Sequence, residues 1–260
     1  MKKLLSIALC AAAITSFAAD EAVQIADVGV LSVTIPANQA NTIIAASFKD
    51  LSDSTKDVSI ADMVKTTNLA AGDKLLLFTG SGTYTAWVLG SDGKWAAAEK
   101  TYTVNANGEL VEGTGASAST TVTAGTGLWI VRGAESAKNE AKIAIYGAYT
   151  SAAKSTATTA GAWNLIGNPG LVAKTIKDGA ATDAIIKVVN GANRTYHYNA
   201  TKKTWYYEAT GTKTVKNQTV RTSTTTDENP AIDPGQGFWY YTKDAVTISW
   251  TDTAESSSAE

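Results

Sequence analysis

The sequence predicts an all-β protein made of two tandem related β-sandwich or partly open barrel modules, with one short helix inserted in the first. Three observations carry this. Thr, Ser, Val, Gly and aromatic residues dominate while Glu, Leu and Arg are sparse, a composition that suits pleated, half-buried surfaces. Apolar runs are short and are separated by Asp-Gly and Asn-Gly turn signals rather than spaced at helical period. Five landmarks recur at one offset of 110 residues: Asp73 and Asp183, Trp95 and Trp205, Gly125 and Gly235, Gly127 and Gly237, Trp129 and Trp239.

The elements follow in order. Residues 1–18 read as a cleaved signal peptide. Lys2 and Lys3 are its basic start, Leu4 to Ile14 is an apolar run too short to span a bilayer, and Ser16-Phe17-Ala18 offers small residues for cleavage before Ala19. Cys10, the only cysteine, lies inside this segment behind Leu9, which is too bulky to precede a lipidated Cys. The first β module is expected over 19–150. Val28 to Ile35 alternates and stops at Pro36. Val58 to Val64 is the helix candidate, with Ile60, Met63 and Val64 at helical spacing and Asp57 or Ser59 able to cap it. The second copy has about a dozen fewer residues there, so this helix reads as an insertion. Lys74 to Phe78 is a short, nearly continuous apolar run, and turns are expected at Asp92-Gly93 and Asn107-Gly108. Lys142-Ile143-Ala144-Ile145-Tyr146 closes the module as the counterpart of Val246 to Trp250. Residues 151–161, rich in Ser, Thr and Ala, read as a linker. The second β module covers 162–250, with Ala184 to Val189 as its apolar run and a turn at Asn190-Gly191. Residues 251–260 read as a disordered acidic tail.

Several function classes are disfavoured. Beyond the signal there is no cysteine, so disulfides, zinc-thiolate sites and a Cys nucleophile are excluded, and no cofactor is implied. Removing Lys2 and Lys3 from the 22 basic residues leaves 20 against 24 acidic, a net charge of -4 that argues against a nucleic-acid partner. No later apolar run is long enough for a transmembrane helix, and the regular ten-residue alternation of an outer-membrane barrel is missing. Gly125-x-Gly127 and Gly235-x-Gly237 lack the third Gly and following helix of a phosphate loop. They read as tight turns delivering aromatic strands, with Pro234 presetting the second. His197 stands alone between Tyr196 and Tyr198, on the opposite face of its strand, and reads as a surface residue without a metal or triad role. Glu208, Asp227, Glu228 and Asp233 could pair as glycosidase carboxylates. Copy one has Ala98 at the position of Glu208, and solvated loop charge is the better account.

The duplication serves as an internal control: positions alike in both copies serve the fold, and positions that differ are free for something else. Trp95/Trp205 and Trp129/Trp239 match and are assigned to the cores. Ala96-Ala97 becomes Tyr206-Tyr207, and Ile130-Val131 becomes Tyr240-Tyr241. Two strands, expected to be adjacent, have thus each gained a Tyr pair with one ring facing out. Tyr206, Tyr207, Tyr240 and Tyr241 are therefore the candidate platform for glycans or for other surface or matrix proteins. The opposing expectation is a larger core in the second copy.

Trp163-Asn164-Leu165-Ile166-Gly167-Asn168-Pro169, followed by Ile232-Asp233-Pro234-Gly235-Gln236-Gly237-Phe238-Trp239-Tyr240, resembles a motif pair of secreted β-domain proteins of Bacteroidetes and of the Verrucomicrobia–Lentisphaerae group. The whole mature chain resembles uncharacterised exported proteins of the latter. The first copy departs from the pattern, with Asn41-Thr42-Ile43-Ile44 in place of the Trp-Asn motif. The resemblance implies a β-rich protein at or beyond the cell surface and no particular activity. Asn164 and Asn168 read as turn formers bonding the local backbone. The expected function is that of an exported, non-catalytic structural or interaction protein. The alternatives are a carbohydrate-binding module using the second-copy tyrosines, or a glycan-active hydrolase.

Overall fold

A computed structural model describes residues 28–252 except 81, 99, 108, 114–120, 151, 190–191 and 216–217, with backbone alone at 66–67, 211–215 and 218–222. Strands hold 55% and helices 4% of the described residues, an all-β protein. In the first half, β1 (Val28–Ile35), β2 (Asn41–Ala45) and β3 (Val58–Ser59) lead into α1 (Ile60–Met63) and β4 (Val64–Thr67). Next come β5 (Lys74–Gly80), β6 (Thr83–Leu89), β7 (Trp95–Ala97), β8 (Tyr102–Val104), β9 (Leu110–Glu112) and β10 (Thr121–Val122). The half closes with β11 (Gly127–Val131), α2 (Ala134–Ala137) and β12 (Ala141–Ala148). In the second half, β13 (Lys154–Ala157), β14 (Ala162–Gly167), β15 (Lys174–Thr175), β16 (Ala184–Val189) and β17 (Ala192–Asn199) precede a long hairpin of β18 (Thr204–Val215) and β19 (Gln218–Asp227). The half ends with β20 (Ala231–Ile232), β21 (Gly237–Thr242) and β22 (Thr247–Trp250).

Each half packs one large antiparallel sheet over smaller ones. The large sheets run β2-β11-β5-β6-β8-β9, with β7 also on β6, and β14-β21-β16-β17-β18-β19. The small sheets are β1-β12-β4 and β10-β3 in the first half, and β13-β22 and β15-β20 in the second. Because side chains alternate across a strand, one face of each large sheet turns to the small sheets and forms a core. The first core gathers Leu75, Trp87, Trp95, Leu128 and Ile130 against Ile143 and Ile145. The second gathers Ile185, Tyr196, Trp205, Phe238 and Tyr240 against Ile248 and Trp250. Trp95 and Trp205 are both core residues, as their recurrence suggested, and each leaves its indole N–H without a protein partner.

The two halves are wired alike. Asp73 accepts from the amides of Ala70 and Gly133 at 2.9 and 2.8 Å, and Asp183 accepts from those of Ala180 and Lys243 at 2.8 and 2.9 Å. Both recurring carboxylates thus tie the start of a central strand to the end of its neighbour. Both Gly-x-Gly segments are turns. Thr126 N donates to Thr123 O and Gln236 N to Asp233 O, with Gly125 and Gly235 at φ 93° and 73°. A positive φ at the third residue is the type II arrangement, which favours Gly there and accommodates Pro234 just before. Asn164 donates to the carbonyls of Thr159, Ala162 and Tyr240, and Asn168 to those of Val172 and Ile232. Both side chains bond the local backbone, as expected, and each also reaches a carbonyl distant in sequence, Tyr240 O and Ile232 O.

The halves meet through those turns. Ala45 N donates to Gly235 O at 2.8 Å, and Gly167 N donates to Gly125 O at 2.9 Å. Gly127 lies against the backbone of Ile166 and Gly237 against Ile43 and the backbone of Ile44, at distances that leave no room for a Cβ. A third apolar cluster covers the seam: Leu76, Tyr84, Ala86 and Tyr102, with Phe78, Trp129 and Trp239 packed on it. The Trp239 ring stands 4.9 Å from Phe78 and 6.2 Å from Tyr84, across the two halves. Burial pushes the Tyr84 phenol up to about 12.

Several expectations need correction. Trp129 and Trp239 occupy equivalent strand positions but are half-buried at this seam, not inside the two cores, because alternation turns them to the outer sheet face. The helix α1 is a single turn. Ser59 is its N-cap without a side-chain bond, and Asp57 instead binds Lys49 at 2.7 Å and Thr123 at 2.8 Å. The stretch 151–161 expected as a linker contains β13, which pairs with β22 much as β1 pairs with β12. Matching 142–146 to 246–250 residue by residue sets buried Ile143 against exposed Thr247. The core-facing residues are Ile143 and Ile145 in one strand, Ile248 and Trp250 in the other, a one-residue slip that inverts every side chain. Asp252, placed in the expected disordered tail, is half-buried and accepts from Tyr149 Oη, Lys154 Nζ and Leu171 N at 2.9, 2.9 and 3.0 Å. The signal segment, residues 253–260 and the Asn190-Gly191 turn lie outside the described residues.

Candidate binding face of the second sheet

Register decides what the four candidate tyrosines can do. The strands carrying them, β18 and β21, are not adjacent: β16 and β17 lie between. Following the pairings across the sheet, one row runs Asn164, Tyr240, Ile185, Tyr196, Tyr207, Thr226. This row faces the core. Tyr240 is 2% exposed, its ring edge-on to Trp205 at 6.0 Å. Burial, reinforced by the Asp183 carboxylate, holds its phenol well above the usual range. Tyr207 is half-buried, edge-on to Tyr196 at 5.6 Å, with the Arg194 guanidinium 4.1 Å over its ring. These two tyrosines, read from the sequence as platform candidates, are packing residues. The larger core foreseen as the opposing reading is where they went.

The next row runs Trp163, Tyr241, Ala184, His197, Tyr206, Asp227 and faces outward. Trp163 is 39% exposed, His197 is exposed, and Tyr206 and Tyr241, like Tyr207, are half-buried. The rings pair off: Trp163 and Tyr241 have centroids 5.6 Å apart, His197 and Tyr206 5.8 Å. Between the pairs, the row passes through Ala184, which is buried. Three strand spacings separate Tyr241 from Tyr206, roughly 14 Å, so the two tyrosines alone do not bracket one sugar ring. The aromatic row that they share with Trp163 and His197 does span several. In the first half the corresponding row is Asn41, Val131, Lys74, Val88, Ala96, without a single aromatic ring.

Sequence reasoning missed Trp163, hidden in a motif read for its turn, and set His197 aside. The alternation put His197 on the correct face, but nothing local said that it lines up with Tyr206 and Tyr241. Trp163 also lines a cleft of about 730 Å³ at the seam between the halves, together with Phe78, Gly80, Gly125, Thr159 and Leu165.

The acids of the second half are spread out. Asp227 at the end of the row pairs with Lys202 at 2.8 Å, and Glu228 accepts from Tyr196 Oη at 2.9 Å. Glu208 is exposed on the outer face and Asp233 on its turn. Among the described residues no group of three His, Cys, Asp or Glu side chains could hold a metal ion, and no helix is long and apolar enough to cross a membrane. Comparison of the chain with protein-family models, curated proteins and solved structures finds no match.

Proposed function

We propose that the protein is an exported, non-catalytic interaction protein of the cell surface or extracellular space, whose second module binds glycans along the outward row of Trp163, Tyr241, His197 and Tyr206. One observation carries this reading. Four aromatic rings from four strands share a single register row on one open face, and the equivalent row of the first half carries none. Aromatic faces stack on the apolar faces of sugar rings, while the polar edges of Tyr and Trp meet hydroxyls. The surroundings suit that chemistry: Thr195 and Glu208 occupy the adjoining outward positions, and the Lys202–Asp227 pair closes the row. Trp163 is the one large hydrophobic residue classed as exposed among the described residues of the second half, so the face lacks the broad aliphatic patch that a protein partner would cover. The reading of the two halves as tandem copies is supported by their matching strand order and Asp73/Asp183 bonds. The export reading rests on residues 1–18.

A glycan array probed with the chain beginning at Ala19 tests the proposal. Trp163→Ala, Tyr206→Ala and Tyr241→Ala should each weaken binding by roughly 2 kcal/mol, about 30-fold, with little change in thermal stability. An array without hits, or binding that survives all three substitutions together, sinks it.

A further inference from the structure

The two halves differ most sharply at the edge of the small sheet. In the first half, β12 takes β1 on one edge and β4 on the other, with Ile145 opposite Val64 and Lys142 opposite Thr67. The α1 turn just before β4 drives Ile60 and Met63, both fully buried, between the sheets. In the second half, β22 takes β13 on one edge, and among the described residues no strand pairs with the other. The chain is shorter here. Ile176 follows β15 as Ile60 follows β3, but Asp183 is reached seven residues later, where Asp73 comes thirteen after Ile60. Neither the helical turn nor the added strand is formed. Beside this edge lies an open cavity of about 540 Å³, lined by Ile176, Ile248 and Tyr240 and by Lys177, Asp178 and Asp244.

We propose that this free edge of β22, with the cavity beside it, accepts an extended peptide strand of a partner protein, added antiparallel as β4 is added to β12. A sheet edge presents unpaired N–H and C=O groups in the spacing of a peptide backbone, and β22 (Thr-Ile-Ser-Trp) has neither the Pro nor the Lys that natural edges use to blunt such pairing. The first half states the chemistry of the occupant. It carries a β-branched aliphatic residue facing the cavity, as Val64 does, a flexible apolar residue just before it, as Met63, and a polar residue facing out, as Lys65. The β4 of a second copy is already paired in its own sheet.

The probe is a synthetic peptide of this chain's residues 59–68, added to the full chain beginning at Ala19. Fluorescence anisotropy should show saturable binding, and hydrogen exchange should slow at the amides of β22. Of two proline-bearing peptides, Lys65→Pro and Thr66→Pro, one removes an N–H that faces β22, so at least one should bind about tenfold or more weaker. A Val64→Asp peptide should also bind at least tenfold weaker, because it would bury a carboxylate against the apolar lining. These variants leave the protein untouched, so misfolding cannot mimic the result. Absence of binding, or equal binding of a scrambled peptide, overturns the proposal. Protection of β22 that grows with protein concentration without peptide overturns it in favour of a second copy as occupant.

Discussion

Replacing Gly127 by Ala puts a methyl group 2.8 Å from the carbonyl oxygen and 2.9 Å from the amide nitrogen of Ile166, across the seam. The φ of Gly127 is not left-handed. Ala therefore meets no backbone penalty, and it should gain about 0.4–1 kcal/mol by restricting the unfolded chain. Against that gain, the obstructing atoms are backbone and cannot rotate away. Relief requires the two halves to part by several tenths of an ångström. Overpacking of this kind costs about 1–3 kcal/mol, and the nearby bond from Gly167 N to Gly125 O, 2.9 Å long, loses part of its roughly 1 kcal/mol. The net expectation is a loss of about 1–2.5 kcal/mol, or roughly 2–10 °C in Tm for a chain of this size. Gly237→Ala, whose methyl would sit 2.7 Å from Ile44 O and 2.3 Å from Ile43 Cγ2, should behave alike. The double variant should lose less than the sum, since one opening relieves both contacts. Urea unfolding gives the energies, and hydrogen exchange at the Ala45 and Gly167 amides locates them. Gly93→Ala is the control: its φ of 74° is strained for Ala, but no atom lies within 4 Å. It should cost about 1 kcal/mol while leaving both seam amides protected. Unchanged stability and unchanged exchange in Gly127→Ala would refute the account of the seam.

Tyr240→Ala should destabilise by about 3–5 kcal/mol as a core truncation, in contrast to Tyr206→Ala. Equal stability of the two in thermal melts would contradict the assignment of faces. Asp252→Ala, or a chain ending at Thr251, should cost about 2–4 kcal/mol, because Lys154, Tyr149 and the Leu171 amide lose a shared, mostly buried acceptor. A wild-type urea midpoint would show that the contact contributes nothing. Burial lowers the pKa of Lys187, which sits where the first half has Leu77 and donates to Ala231 O, while Asp233 and Glu228 partly offset the shift. The folded state then binds fewer protons than the unfolded one between the lowered pKa and the ordinary value near ~10.4. The penalty is full below that window and fades as pH rises through it. Lys187→Leu should abolish this alkaline gain and raise neutral-pH stability by about 1 kcal/mol. Parallel pH profiles of wild type and variant would refute it.

Much of the candidate site was legible one strand at a time. Alternation through Tyr196-His197-Tyr198 assigned His197 to the outer face, and the doubled Tyr pairs marked the strands where the second half departs from the first. Pairing between strands was not legible. Tyr206 and Tyr241 belong to strands separated by β16 and β17, and only the sheet order places Trp163 and His197 in their row. The long gap between β14 and β21 in the chain hides that Trp163 faces Tyr241 directly.

By itself the sequence determined the all-β class, the Gly-x-Gly turns and the recurring Trp95/Trp205 core positions, because composition, φ preference and period-two burial are local properties of the chain. The tertiary structure alone decided three matters. Trp129 and Trp239 lie at a seam between the halves, residues 154–157 form a strand where a linker was expected, and Asp252 is a half-buried anchor beyond the last strand. Each depends on which distant backbone a residue meets. A half-buried Trp and a core Trp share the same local pattern, and a short polar stretch becomes a strand only when an unpaired edge such as that of β22 lies beside it.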